Sequence, residues 1–277
     1  MLAVAKSGFN WSYSLQVAPS TTPGVAVTPG VGSKGSYVQL ASGANLAQDS
    51  YGMILWFCAG NTSTGIRDIL ADIGVDPAGG TSYAQLNGLN NLFVPQASNA
   101  VDGGRWFWFP LFIKAGSSVG VCGQSNIATT FRCMARFYGQ PTYPENIAVG
   151  RYTETIGVSG NGGTPFTCAN TGGVGTWTSI GTTTRPLWYF NLCAGHNVGT
   201  TTAQMYFFDL GFGDGTVANT VVIIQNLAQF NPGTAEKSGN IPFGGFWEVP
   251  SGSTLYVRGS ASGTAETTEA CAVGVGG

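Results

Sequence analysis

The chain has 277 residues, a formal net charge of −2 and only 9% charged side chains. No basic run is present to track a phosphate backbone, so a nucleic-acid partner is not expected. Hydrophobic residues at 43%, aromatics at 12% and the small net charge exclude a disordered chain, which needs low hydrophobicity and high net charge, and such sparse charge implies surfaces covered by neighbours.

In chain order, residues 1–20 read as an N-terminal arm. Met1 to Gly8 lacks a charged start followed by a long apolar run, so no signal peptide is expected, and synthesis in a cytosol is. Phe9 to Leu15 alternates polar and apolar residues and carries Trp11 and Tyr13. It reads as a strand able to join a neighbouring sheet.

A first β-rich domain is expected over 21–139. Ser36 to Leu40 alternates like a half-buried strand. Met53 to Cys58 is an apolar run suited to burial on both faces. Asp68 to Ile73 and Val119 to Cys122 are further strands, and Ser82 to Asn90 has room for one helical turn. Trp106 to Ile113 is apolar but too short to span a bilayer, and it contains Pro110. Residues 140–150, with Pro141 and Pro144, read as a semi-rigid linker.

The second domain, 151–277, offers matching strands: Thr176 to Ile180, Leu187 to Cys193, Tyr206 to Leu210, Val221 to Ile224 and Leu255 to Arg258. Short strands with Gly, Pro and Asn between them are the signature of sandwiches and barrels. The expected fold is all-β, with two tandem jelly-roll-like β-sandwich domains related by an internal repeat.

Four short strings recur in the same order at nearly constant spacing and carry that expectation. Trp56-Phe57-Cys58-Ala59-Gly60 is followed by Asn191-Leu192-Cys193-Ala194-Gly195. Asp72-Ile73-Gly74 matches Asp209-Leu210-Gly211. Ala115-Gly116-Ser117-Ser118 matches Ser251-Gly252-Ser253-Thr254, and Cys133 matches Cys271. Cysteines inside apolar strands behave as small buried hydrophobes, so free thiols are expected. Cys58–Cys133 and Cys193–Cys271 disulfides are the alternative. No Cys-x-x-Cys occurs, so no zinc site is expected.

Candidate chemistry is thin. His196, the single histidine, stands where the first half has Asn61, which suits a turn residue better than a catalytic base. Gly116-Ser117-Ser118-Val119-Gly120 matches the nucleophile pattern Gly-x-Ser-x-Gly, but enters a strand rather than a helix. Gly30-Val31-Gly32-Ser33-Lys34-Gly35 matches Gly-x-Gly-x-x-Gly without a following helix to receive a phosphate. Asp72, Asp76, Asp209 and Asp214 raise a glycosidase pair or a Ca²⁺ site. Turn capping beside Gly74 and Gly211 is the simpler role. No enzymatic activity, cofactor or metal is expected.

Aromatics cluster at Trp106, Phe107, Trp108 and Phe109, and again at Phe243, Phe246 and Trp247. Successive strand residues point to opposite faces, so four in a row cannot share one core. Some reach a second surface, and an interface is the first choice.

Pro110 to Val119, Trp247 to Leu255, Gly175-Thr176-Trp177-Thr178-Ser179-Ile180 and the Asp-Leu-Gly step resemble β-sandwich modules of virion structural proteins of tailed bacteriophages. Lys114 and Tyr37 stand where that pattern has Pro and Trp. The resemblance implies a particle component, a head decoration or tail-associated protein located in the virion. It would act through interfaces with other virion proteins, and the resemblance carries over no catalytic residue; the tandem of like domains itself favours a homo-oligomer, a trimer offering six similar modules. A carbohydrate- or receptor-binding module of a tail fibre is the alternative.

Overall fold

The structure, a computed structural model, describes residues 24–59, 67–85, 89–96, 105–128, 130–139, 149–171, 173–196, 204–231, 240–243 and 248–277. The first half holds β1 (Val25–Val27), β2 (Gly30–Val31), β3 (Val38–Ala41), β4 (Gly52–Ala59), β5 (Arg67–Asp76), β6 (Ala84–Gln85), β7 (Leu92–Gln96), β8 (Arg105–Phe109), β9 (Ser118–Ser125) and β10 (Phe131–Tyr138). The second holds β11 (Tyr152–Ile156), β12 (Val158–Ser159), β13 (Gly162–Ala169), β14 (Thr178–Thr182), β15 (Tyr189–His196), β16 (Gln204–Gly213), β17 (Val221–Asn231), β18 (Asn240–Phe243), β19 (Thr254–Ala261) and β20 (Glu266–Gly276).

Sequence alternation builds the first sheet. Along β10, Phe131, Cys133, Ala135 and Phe137 are buried, while Arg132, Met134, Arg136 and Tyr138 face outward. Its neighbours in the order β1-β10-β4-β8 follow the same period of two. The facing sheet runs β3-β9-β5-β7, with the short β2 and β6 at its margins. Phe57, Phe107 and Phe131 interlock between them, with ring centroids 5.7 and 6.1 Å apart.

The second half uses the same order. Its sheets run β13-β20-β15-β18 and β14-β19-β16-β17. β13 pairs antiparallel with β20 and then, at Cys168 and Ala169, parallel with β19. This step joins the two sheets into one continuous ladder. In the first half, β1 pairs with β10, and β2 then pairs parallel with β9. Each half is therefore a jelly-roll-like sandwich with one inward-facing core. Even the register break recurs, between Gln39 and Ala41 in β3 and between Ser179 and Gly181 in β14.

The turns follow from glycine. Ser117 N–H donates to Lys114 O, and Ser253 N–H to Pro250 O. Gly116 and Gly252 take the left-handed position, at φ 80° and 83°, as the third residue of a type II turn requires. The Gly-x-Ser-x-Gly string is thus a turn into β9. The Gly30–Gly35 string is β2 and the bend after it.

Three expectations change. The stretch Ser82 to Asn90 holds the short strand β6, pinned by pairing with Gly74 and Val75; residues 86–88 lie outside the described set. β4 is not buried on both faces: Met53, Leu55 and Phe57 point inward, and Ile54 and Trp56 remain half-exposed. The cysteine matches are also out of register. Cys133 pairs with Phe57 and faces its core, whereas Cys271 pairs with Cys193 on the outer side of the β15–β20 sheet. The inward pair equivalent to Phe57–Cys133 is Ala194–Ala270. Cys58 stands opposite Arg132, and its side chain lies outside the described residues. Cys122, Cys133, Cys168, Cys193 and Cys271 are free and buried.

Candidate functional site

Each half places one carboxylate on the outer face of its β9-type or β19-type sheet. Asp72 accepts from Lys34 Nζ at 2.6 Å, Gln85 Nε2 at 3.1 Å and the Asn91 N–H at 2.7 Å. Asp209 accepts from Arg258 Nε at 2.7 Å and the Asn226 N–H at 2.7 Å. Asn91 and Asn226 are left-handed, at φ 51° and 55°, and are the non-glycine residues with positive φ among those described. In β17, Gln225 and Asn226 together oppose the single residue Asp209 in a bulge, because Leu210 pairs with Ile224 and Phe208 with Leu227. The carboxylate takes the N–H that the bulge removes from the ladder.

The cations arrive by different routes. Lys34 comes from the bend after β2, while Arg258 lies in β19 and stacks 4.3 Å from the Trp177 ring. Tyr37, in the place corresponding to Trp177, meets Tyr83 with centroids 5.4 Å apart. Asp76 holds the N–H groups of Ala78 and Ser82, and Asp214 those of Thr216 and the Asn219 side chain. All four carboxylates serve turns or bulges. Among the described residues no group of three His, Cys, Asp or Glu side chains is arranged to hold a metal ion. His196 is the last residue of β15, opposite Thr268.

The aromatic segment divides by face. In β8, Phe107 and Phe109 are fully buried, Trp106 is 46% exposed and Trp108 is half-buried. Trp106 stands opposite Trp56 on β4, Trp108 opposite Ile54, and Trp56 opposite Met134 on β10. Arg136 lies 5.8 Å over the Trp56 ring, and Trp108 meets Tyr138 edge-on at 5.2 Å. These side chains form one apolar outer face with a cationic margin. Phe243 ends β18, opposite Phe190; its side chain, and all of Trp11, Tyr13, Phe246 and Trp247, lie outside the described residues.

The corresponding face of the second half is covered. Cys193, Cys271, Val273 and Val275 are fully buried and join the same apolar cluster as the first half's core. β7 packs along β15, and β8 against β18. Asn191 Nδ2 donates to Trp108 O at 3.0 Å, Gln124 Nε2 to Asn161 Oδ1 at 2.7 Å, and Thr155 Oγ1 to Asn90 O at 2.5 Å. β15 and the Ala270–Gly276 part of β20 are therefore buried on both faces.

The sequence reading missed this seam. Its signal was compositional: from Ala270 to Gly276, β20 alternates Ala and Gly inward with Cys and Val outward, with no polar residue on either face.

No family model matches the chain, and no curated protein sequence matches it. Among solved structures it is similar to a chain of Broad Bean Stain Virus (BBSV), at 14% identity over 95% of this chain and 91% of that one, TM-score 0.35. It is similar to the STIV MCP at 10% identity, over 92% of this chain and 94% of that one, TM-score 0.36. It is also similar to a peptide-N(4)-(N-acetyl-β-D-glucosaminyl) asparagine amidase at 8% identity, over 91% of this chain and 96% of that one, TM-score 0.32. These superpositions are loose. The strand order and register define the fold: an all-β chain of two jelly-roll-like sandwiches, with its conspicuous carboxylates committed to backbone geometry.

Proposed function

We propose that this chain is a structural component of a bacteriophage particle, a head decoration or tail-associated protein, acting through broad protein–protein contacts. Its two sandwiches, over 21–139 and 151–277, are copies of one module joined by the linker 140–150, with the arm 1–20 reaching a neighbour. The observation that carries this reading is the outer face of Trp56, Trp106, Trp108 and Met134. It stays partly exposed although the second half buries its own version of the same surface. An exposed aromatic surface of that kind marks an interaction site. The low charge of the chain and its virion-like strings support the same conclusion. Three copies would set six sandwiches around one lattice point.

Peptide mass spectrometry of density-purified particles, with native mass measurement of the isolated chain, tests this. The expected results are the protein in the particles and a trimer in isolation. Absence from the particles overturns the virion role, and a stable monomer overturns the trimer.

One observation favours a second reading, a glycan-binding module. An open groove of about 590 Å³ is lined by Ser36, Tyr37, Gln39, Thr81, Ser82 and Tyr83. Two tyrosine rings beside hydroxyl and amide groups suit a sugar. Glycan binding that disappears in Tyr37→Ala would support it, and silence across a glycan array would remove it.

A further inference from the structure

The chain contains one complete joint and both halves of a second. In the complete joint, β7 packs along β15 and β13, β5 meets β13 and β8 meets β18, and Cys193, Cys271, Val273 and Val275 of the second half share one apolar cluster with the first. The counterpart of β7 is β17, and the counterpart of the β15–β20 face is the β4–β10 face. We infer that in an assembly of copies, β17 of one copy packs on the Trp56–Met134 face of the next, head to tail. This rests on the proposed interface role of that face and names what covers it.

Three observations converge. First, β17 is the terminal strand of its ladder, and it exposes Val221 at 47% and Val222 at 40%. A long apolar edge strand invites a partner unless it is covered. Val221 and Val222 correspond to the exposed Ala84 and Gln85 of β6, while Ala228 is exposed where its counterpart in β7, Phe93, is fully buried.

Second, the receiving faces of the two joints differ in bulk. The register pair Cys193–Cys271 occupies the place that Trp56–Met134 holds in the first half. On the other side, Phe93 pairs with Leu70 where Ala228 pairs with Phe207. The first joint thus sets a large ring on a small-residue face. The second offers the exposed Ala228, with the half-buried Phe207 beside it, to a large-residue face.

Third, the charges are complementary. The receiving face carries Arg132 and the exposed Arg136. The exposed Asp214 precedes β17, and hydrogen bonds from Asn219 and the Thr216 N–H lower its carboxyl pKa. Opposite charges at a rim steer and orient docking. Joining unlike surfaces makes the contact heterologous, so copies add in one direction until the ring closes.

The test uses Ala228→Arg on the edge and Trp106→Asp on the face, each followed by sedimentation velocity, with circular dichroism to verify folding. Ala228 is exposed, so its substitution leaves the fold intact. Each variant alone should associate at least about tenfold more weakly than wild type, the loss expected when an interface anchor is removed. Mixed together they should form a heterodimer, because the Trp106→Asp copy still offers an intact edge and the Ala228→Arg copy an intact face. An Ala228→Arg chain that keeps the wild-type assembly overturns the inference, leaving deletion of residues 1–23 to show whether the arm is the occupant. A mixture that stays monomeric overturns it too. Either result leaves the virion role standing, since that role falls only if the protein is missing from particles.

Discussion

The carboxylate of Asp209 holds the N–H of Asn226 at 2.7 Å, across a bulge that turns Asn226 left-handed. Asp72 does the same for Asn91 in the other sandwich. A buried charge fixed by a cation and a backbone donor is structural. Asp209→Ala should therefore cost about 2 kcal/mol, the usual value of a charged hydrogen bond with a partner left behind. Urea unfolding checks this. Asn226→Gly should be nearly neutral, since glycine accepts the same φ, while Asn226→Val should destabilise.

Gly52 lies beneath Trp108: an added Cβ would sit 2.1 Å from its ring. Gly52→Ala should displace Trp108 from Tyr138 and destabilise the first sheet by about 2 kcal/mol, a typical overpacking cost. A shift in tryptophan emission, together with a lower urea midpoint, would report it. An unchanged spectrum would mean that the ring has room to move.

Burial pushes the Cys168 thiol up from 9.0 to about 11, with Glu266 adding to the rise and the Thr268 hydrogen bond opposing it. The folded state thus holds the proton more tightly than the unfolded one. The thiol's contribution is complete below pH 9.0 and fades as pH climbs towards about 11. The stability gap between wild type and Cys168→Ala should narrow across that window. At lower pH the five buried free thiols should react with an alkylating reagent only after unfolding.

Cys193→Trp would place in the second half the residue that the first half carries there. The site is fully buried against the first sandwich, so the substitution should cost at least about 3 kcal/mol, through overpacking. Soluble yield and the urea midpoint measure it. Asn191→Leu should be close to neutral: it loses the bond to Trp108 O but removes a buried Oδ1 with no hydrogen-bond partner.

The strands were legible because their chemistry is local. Tyr206-Phe207-Phe208 and Val221 to Ile224 advertise strands, and Gly116 and Gly252 advertise turns. The split of Trp106 to Phe109 between two faces also followed from the pleat alone. Register was not legible. Matching cysteine to cysteine aligned Cys133 with Cys271, one residue away from the pairing the ladder adopts. A slip of one residue reverses every side chain. What covers the outer face of β20 depends on packing between distant segments, which no local pattern encodes. The partners of Asp72 and Asp209 were hidden for the same reason: Lys34 and Arg258 come from non-equivalent places.

β20 belongs to two interiors at once. Ala270 and Ala272 fill the second sandwich, while Cys271, Val273 and Val275 complete the cluster that continues into the first. Neither sandwich can melt alone without exposing apolar area that the other relies on. Heat should therefore unfold both in a single calorimetric transition, with an enthalpy sized to the whole chain. A particle built from such units would lose them whole, leaving no half-unfolded strands at its surface to recruit one another.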